Sequence, residues 1–275
     1  MGKEAAADLY LDLMAKVLTR YGFDGRQVPV ILGAGTYDRY LWEMLQDSLV
    51  DRRVGLVEKG EFRADLREVG RDWPVDAESM VGLKRMANIR HCVETVLEDD
   101  VPGDLIETGV WRGGSCIYMR AILGAHGAEG RTVWVADSFA GLPEPDPAFP
   151  DDAADVHHTF GELAISVDEV KDNFRRYGLL DDQVQFLVGW FADTLPTAPI
   201  ERLAVLRLDG DMYSSTIDAL DALYDKVSPG GFVIVDDYGA VPACAKAVED
   251  FRSARGIEDP IEIVDWAGAF WRKSS

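Results

Sequence analysis

The sequence predicts an α/β fold, a mostly parallel seven-stranded open sheet with helices on its faces and an antiparallel pair at its C-terminal end. Two observations carry this. From about residue 104, short apolar runs alternate with stretches of helical periodicity, the pattern of strand–helix–strand units whose strands lie parallel. The last two runs, PIEIVDW and GAFWRK, are separated by little more than Ala267 and Gly268, which is too short for a helical crossover, so these strands must pair antiparallel.

The first hundred residues read as helical. ADLYLDLMAKVLTRYG (7–22), DRYLWEMLQDSLV (38–50) and SMVGLKRMANIRHCVETVLEDD (79–100) repeat their apolar residues with a helical period, while PVILGAG (29–35) reads equally as strand or loop. Residues 1–75 are therefore set apart as an N-terminal helical extension, and 76–275 as the main domain. DLIETGVW (104–111) opens the sheet, and SCIYMRAILGAHG (115–127) is a helix with Ile117, Ala121 and Ala125 on one face and Gly127 as its stop. TVWVADSF (132–139) is the second strand, SVDEVKDNFRRYG (166–178) a helix, and VQFLVGWF (184–191) and LAVLRLDGD (203–211) the next two strands. STIDALDALYDKV (215–227) turns Ile217, Leu220, Ala222 and Leu223 toward the sheet, ahead of the strand GGFVIVDDY (230–238) and the helix PACAKAVEDFRSARG (242–256). LPEPDPAFPDDAADVHH (142–158) has too few apolar residues to pack as an element, and a loop of that length inside a domain is expected to be a mobile lid over a site. This succession is the outline of a Rossmann-like class I methyltransferase.

Composition narrows the partners. With 49 acidic against 28 basic residues the chain carries a formal charge of −21, which repels phosphate backbones and anionic lipid surfaces. Neither nucleic acid nor membrane is an expected partner. Three cysteines, Cys92, Cys116 and Cys244, lie far apart with no CxxC pair, which fits neither a disulfide framework nor a zinc ribbon and points to a reduced cytoplasm. No run approaches the ~18 apolar residues of a spanning helix.

A nucleotide-type site is read at ETGVWRGGS (107–115), where glycines at a strand-to-helix junction let a ligand approach the backbone and the helix amides. Glu107, Thr108, Gly109, Trp111, Gly113 and Ser115 are its candidates. The spacing from Gly109 is GxxxGG, unlike the GxGxxG of dinucleotide sites, and a carboxylate at Glu107 repels a pyrophosphate but suits the ammonium of a methionine moiety. S-adenosylmethionine is thereby favoured over NAD. Asp137, followed by Ser138 at the end of the next strand, is placed to take ribose hydroxyls, and Gly189, Trp190 and Phe191 after the third strand to cover adenine.

Two apolar runs, LAVLRLDGDMY (203–213) and GGFVIVDDY (230–238), end abruptly in aspartates. If these strands are parallel neighbours ~4.8 Å apart, Asp209, Asp236 and Asp237 crowd one another. A divalent cation turns that repulsion to advantage, and all-oxygen ligation selects a hard ion such as Mg²⁺. Asp211 reads either as a substrate-side residue or as the cap of the helix that follows.

ETGVWRGGSCI, WVADSF, NFRRYGLLDDQVQFLVGWFADTLPTAP, ERLAVLRLDGDMYSST, SPGGFVIVDDY and the terminal WRK together resemble the macrocin O-methyltransferase family, the metal-dependent sugar O-methyltransferases of macrolide and aminocoumarin biosynthesis. The resemblance covers most of residues 76–275. It implies S-adenosylmethionine and Mg²⁺ as cofactors, and a hydroxyl of a sugar on a small-molecule glycosylated natural product as acceptor. Asp209, Asp236 and Asp237 become metal ligands and Asp209 the candidate base. Met80 and Val81, at the start of the helix before the first strand, touch the cofactor. The N-terminal extension is expected to shape the substrate pocket and to make homo-oligomer contacts. Where the related catechol enzymes place a lysine, Met212 follows Asp211, which argues against a lysine base, and GAGTYDRYLWEM (33–44) matches no segment of the family. His157 and His158 in the lid are the alternative proton acceptors. A non-sugar vicinal diol or catechol is the alternative acceptor, and an NAD-binding oxidoreductase or a silent nucleotide-binding protein is a remoter reading.

Overall fold

The computed structural model describes residues 2–23, 27–29, 57–59, 61–74 and 76–274; the helix expected over 38–50, the segment 33–44 and most of the 29–35 run lie outside them. Helix α1 (Lys3–Leu18) precedes a two-stranded ribbon of β1 (Gln27–Pro29) and β2 (Val57–Lys59), the short α2 (Ala64–Glu68) and the long α3 (Gly82–Glu98). From there strands and helices alternate: β3 (Asp104–Thr108), α4 (Gly114–Ala125), β4 (Val133–Asp137), α5 (Val167–Arg176), β5 (Val184–Val188), the one-turn α6 (Phe191–Thr194), β6 (Leu203–Leu208), α7 (Tyr213–Leu223), β7 (Val227–Val235) and α8 (Pro242–Arg255). Strands β8 (Glu262–Ile263) and β9 (Ala269–Arg272) finish the chain.

The seven strands lie in the order β5-β4-β3-β6-β7-β9-β8, parallel from β5 to β7, with β9 antiparallel to both β7 and β8. This is the expected architecture, with strands that stop a few residues short of their apolar runs because the chain turns at Gly109, Gly189 and Gly210. Strand β6 sits at the centre and is buried at every position, as a strand covered on both faces must be. One face of the sheet is packed by α1, α3, α4 and α5 through Leu11, Leu18, Ile89, Ile117 and Phe174. The opposite face is packed by α7 and α8 through Leu220, Leu223, Val248 and Phe251. Each such fully buried side chain contributes roughly 1.5–3 kcal/mol of transfer free energy. Two packed faces hold the parallel strands so that their C-terminal ends open on one side, where open α/β sheets bind ligands.

The 142–158 segment does pack, contrary to its composition. It folds into two 3₁₀ turns, Pro150–Asp152 and His157–Thr159, with a third, Gly161–Leu163, just beyond. Asp152 is fully buried and accepts hydrogen bonds from the backbone N–H groups of Tyr213 (2.6 Å) and Ser214 (2.9 Å) at the start of α7. A polar side chain, not an apolar one, is therefore the anchor. Sequence periodicity has no signal for it.

Candidate active site

Above the strand ends lies a cavity of about 630 Å³, within the range of small-molecule sites. The wall brings together residues from the first and last strands of the parallel set. Met80, Val81, Glu107, Gly109, Trp111 and Ser115 line one part; Asp137, Ser138, Trp190 and Phe191 line another; Asp209, Asp236, Asp237 and His157 line the rest. Thr108, Gly113, Gly189 and His158 are not brought to the wall. The Thr108 hydroxyl points into the sheet toward the Arg207 carbonyl, 3.4 Å away. Gly113 has φ 83° at the start of α4, where a Cβ would lie 2.7 Å from Val170 Cγ1, so it serves helix packing. The junction glycine Gly109 likewise has a structural cause. At φ 88° a Cβ there would strike the Asp209 carbonyl, so the ends of β3 and β6 can approach only over glycine.

Asp137 stands as the motif requires, at the end of β4. Its Oδ2 accepts from Val110 N (2.8 Å) and its Oδ1 from Phe139 N (2.7 Å) and, more weakly, from the Ser138 hydroxyl (3.4 Å), which fixes the carboxylate at the cavity wall. Burial pushes its pKa up, against the pull of those two N–H donors.

The aspartates face two arginines that the sequence reading passed over. Arg207, next to last in β6, is fully buried and its guanidinium reaches Glu107 Oε1, Asp209 Oδ2 at 2.6 Å and Asp236 Oδ1. Arg85, on α3, pairs with the other oxygen of Asp236 and lies 3.3 Å from Asp265 Oδ2. Strand pairing accounts for this convergence. Residues 107, 207 and 234 are in register on adjacent strands, and Asp236 N donates to the Leu208 carbonyl at 2.8 Å. The signal was present as a lone arginine in an otherwise apolar strand, since a charge buried at a sheet's centre demands counter-charges beside it. Glu107, expected to face a ligand ammonium, is first a partner of Arg207 and of the Cys116 thiol, 2.8 Å from its Oε2.

Even so, the site is short of positive charge. Glu107, Asp209, Asp211, Asp236, Asp237 and Asp265 gather round two guanidiniums. Burial first, and then Asp236, pushes the Asp209 pKa well above the usual carboxylate range, while burial and then Asp211 do the same to Asp237. Ligand atoms of Asp209, Asp236 and Asp237 all lie within 4.8 Å of one another, a set of hard oxygens that fits a hard divalent cation. Asp211 does not cap α7; the N-cap is Met212, without a side-chain bond, and Asp152 does that work from the 142–158 segment. Instead Asp211 lines the cavity at a left-handed φ of 57°, its pKa raised to about 6 by burial, a rise opposed by nearby His157. His157, on the cavity wall, has its Nδ1 2.6 Å from Asp155 Oδ2.

The Macrocin-O-methyltransferase (TylF) family profile matches residues 7–273. The chain belongs to the macrocin O-methyltransferase family. It is similar at 54% identity, over 99% of its length and 95% of the relative's, to the 8-demethyl-8-(2,3-dimethoxy-α-L-rhamnosyl)-tetracenomycin-C 4'-O-methyltransferase of Streptomyces olivaceus. The mycinamicin III 3''-O-methyltransferase of Micromonospora griseorubida is 46% identical over the whole of both chains. The solved structure of the O-methyltransferase NovP superposes with a TM-score of 0.85 at 46% identity, over 98% of this chain and 100% of that one. A macrocin-family fold is that of an O-methyltransferase and implies S-adenosylmethionine as methyl donor, which displaces the oxidoreductase reading. Among the described residues no helix is long and apolar enough to cross a membrane.

Proposed function

We propose that this chain is an S-adenosylmethionine- and Mg²⁺-dependent O-methyltransferase acting on a sugar hydroxyl of a glycosylated natural product. The observation that carries it is the juxtaposition, in one cavity, of the Asp137 carboxylate at the end of β4 and the Asp209–Asp236–Asp237 oxygen set. Relatives named for rhamnosyl and 3''-positions supply the acceptor class. When bound, the sulfonium donor supplies the methyl group and the cation supplies Lewis acidity at a hydroxyl. Asp209, Asp236 and Asp237 would hold the cation; Asp137 would hold the donor's ribose, with Trp190 and Phe191 beside the adenine and Met80 and Val81 closing the cofactor end. Gly70 and Trp73 on the cavity wall support a part for residues 1–75 in the acceptor pocket, and the exposed Leu9 and Leu13 of α1 support self-association.

Proton removal is assigned to His157. Asp209 accepts from Arg207 through Oδ2, leaving its other oxygen for the cation, whereas Asp155 fixes His157 Nδ1 and so leaves Nε2 as a lone-pair acceptor. Calorimetry with S-adenosylmethionine, followed by methyl transfer measured with Mg²⁺ and after exhaustive chelation, tests the whole. Full turnover in chelator would refute the metal. His157→Gln is expected to lose most turnover with donor affinity intact, and equal activity of that variant would return the base to Asp209.

A further inference from the structure

The cavity has a wall at its carboxylate end that neither cofactor accounts for. Trp266, in the turn between β8 and β9, remains 40% exposed and lines the cavity together with Ala240 and Ala267. Its Nε1–H is already given to the Val69 carbonyl at 2.7 Å, and the Arg71 guanidinium stacks on its ring at 4.7 Å from the centroid. The indole therefore offers a ligand ring surface and no hydrogen-bond donor.

Its position is fixed relative to the aspartates by two connections. Gly239 N, just past Asp236 and Asp237, donates to the Ala267 carbonyl at 2.7 Å, and a Cβ at Gly239 would strike the Trp266 carbonyl. Asp265, the preceding residue, accepts from Ala267 N and Gly268 N through Oδ1, and its Oδ2 pairs with Arg85, which in turn pairs with Asp236. An aromatic face is thus clamped beside a cluster of hard oxygens. A molecule that satisfies both surfaces needs hydroxyls along one edge and an apolar face. A pyranose ring has that distribution, its axial C–H bonds forming the apolar face.

We infer that Trp266 is the acceptor platform, its indole receiving the C–H face of a pyranose whose hydroxyls turn toward Asp209, Asp236 and Asp237. This rests on the function proposed above and names the surface that selects the ring. The test is saturation-transfer NMR with methyl α-L-rhamnopyranoside as probe, in the presence of Mg²⁺ and S-adenosylhomocysteine, with catechol as the competing probe. Expected are saturation at the ring C–H protons, about a 10-fold loss of rhamnoside affinity in Trp266→Ala, and recovery of most of it in Trp266→Phe, as an aromatic contact requires. Calorimetric affinity for S-adenosylmethionine should stay the same in both variants, which also reports that they fold. Unchanged rhamnoside affinity in Trp266→Ala would overturn the platform alone, as would an equal loss of S-adenosylmethionine affinity. A wild-type preference for catechol over the rhamnoside would overturn the sugar class, and this assignment with it.

Discussion

Arg207 is the residue on which both ends of the site hang, because one guanidinium joins the carboxylate of β3 to those following β6 and β7. Removing it while leaving its partners buried exposes three carboxylates to uncompensated repulsion, so Arg207→Met is expected to lose about 3–5 kcal/mol of stability in urea denaturation. Arg207→Lys keeps the charge but cannot fork to three acceptors, and should fall between the two. A Met variant as stable as the wild type would mean that the cluster is not held by this ion pairing. Asp137→Ala removes a charge-assisted acceptor whose geometry two backbone amides have set, and calorimetry should show donor binding weakened by roughly 1.5–3 kcal/mol. At this scale the sequence was half legible. Asp137 and the three aspartates announce themselves as acids at the ends of apolar runs, where burial has no other reason to tolerate them. Arg85, Asp155 and Asp265 do not, because the roles of Arg85 and Asp265 come from contacts 151 or more residues apart in the chain, and that of Asp155 from a segment whose path no periodicity describes.

Elements were read more completely, since apolar period and turn chemistry act locally. Helix α5 begins at Ser166, whose hydroxyl accepts from Glu169 N in the SxxE spacing that marks such starts, and α8 ends at Gly256 in the left-handed conformation glycine supplies. The packing of residues 142–158 escapes a sequence reading because its main tie is a buried carboxylate and not an apolar face. Asp152 caps α7 from outside the helix, with Phe149 stacked near Tyr213 at 6.2 Å and Lys246 3.3 Å from Asp151. Losing that cap should cost about 0.5–2 kcal/mol, as other helix caps do. Asp152→Ala is thus expected to lower the melting temperature and, because α7 starts just after Asp211, to raise the rate of proteolysis within 142–163 before the core unfolds. Protection equal to the wild type's would show that the turns hold without the cap.

For the molecule as a whole, a charge of −21 and a deficit of cations at the site act in the same direction, and the two must be separated. Any salt relieves long-range self-repulsion by screening, with a Debye length of about 10 Å at 0.1 M, so stabilisation by Mg²⁺ alone proves nothing about a site. A cation bound by Asp209, Asp236 and Asp237 acts differently. It stabilises by mass action, by about 2.7 kcal/mol at a hundred times its dissociation constant, and saturates. Asp209 and Asp237, whose neighbours and burial disfavour their ionised forms, are the carboxylates of this set that a bound divalent ion would relieve. Thermal denaturation in Mg²⁺ should therefore show a saturable rise in melting temperature above that in NaCl of equal ionic strength. Asp237→Asn should abolish the difference while keeping the NaCl response, because it removes one ligand charge among many on the surface field. Identical curves in the two salts for the wild type would leave screening as the sole effect and remove the metal from the site.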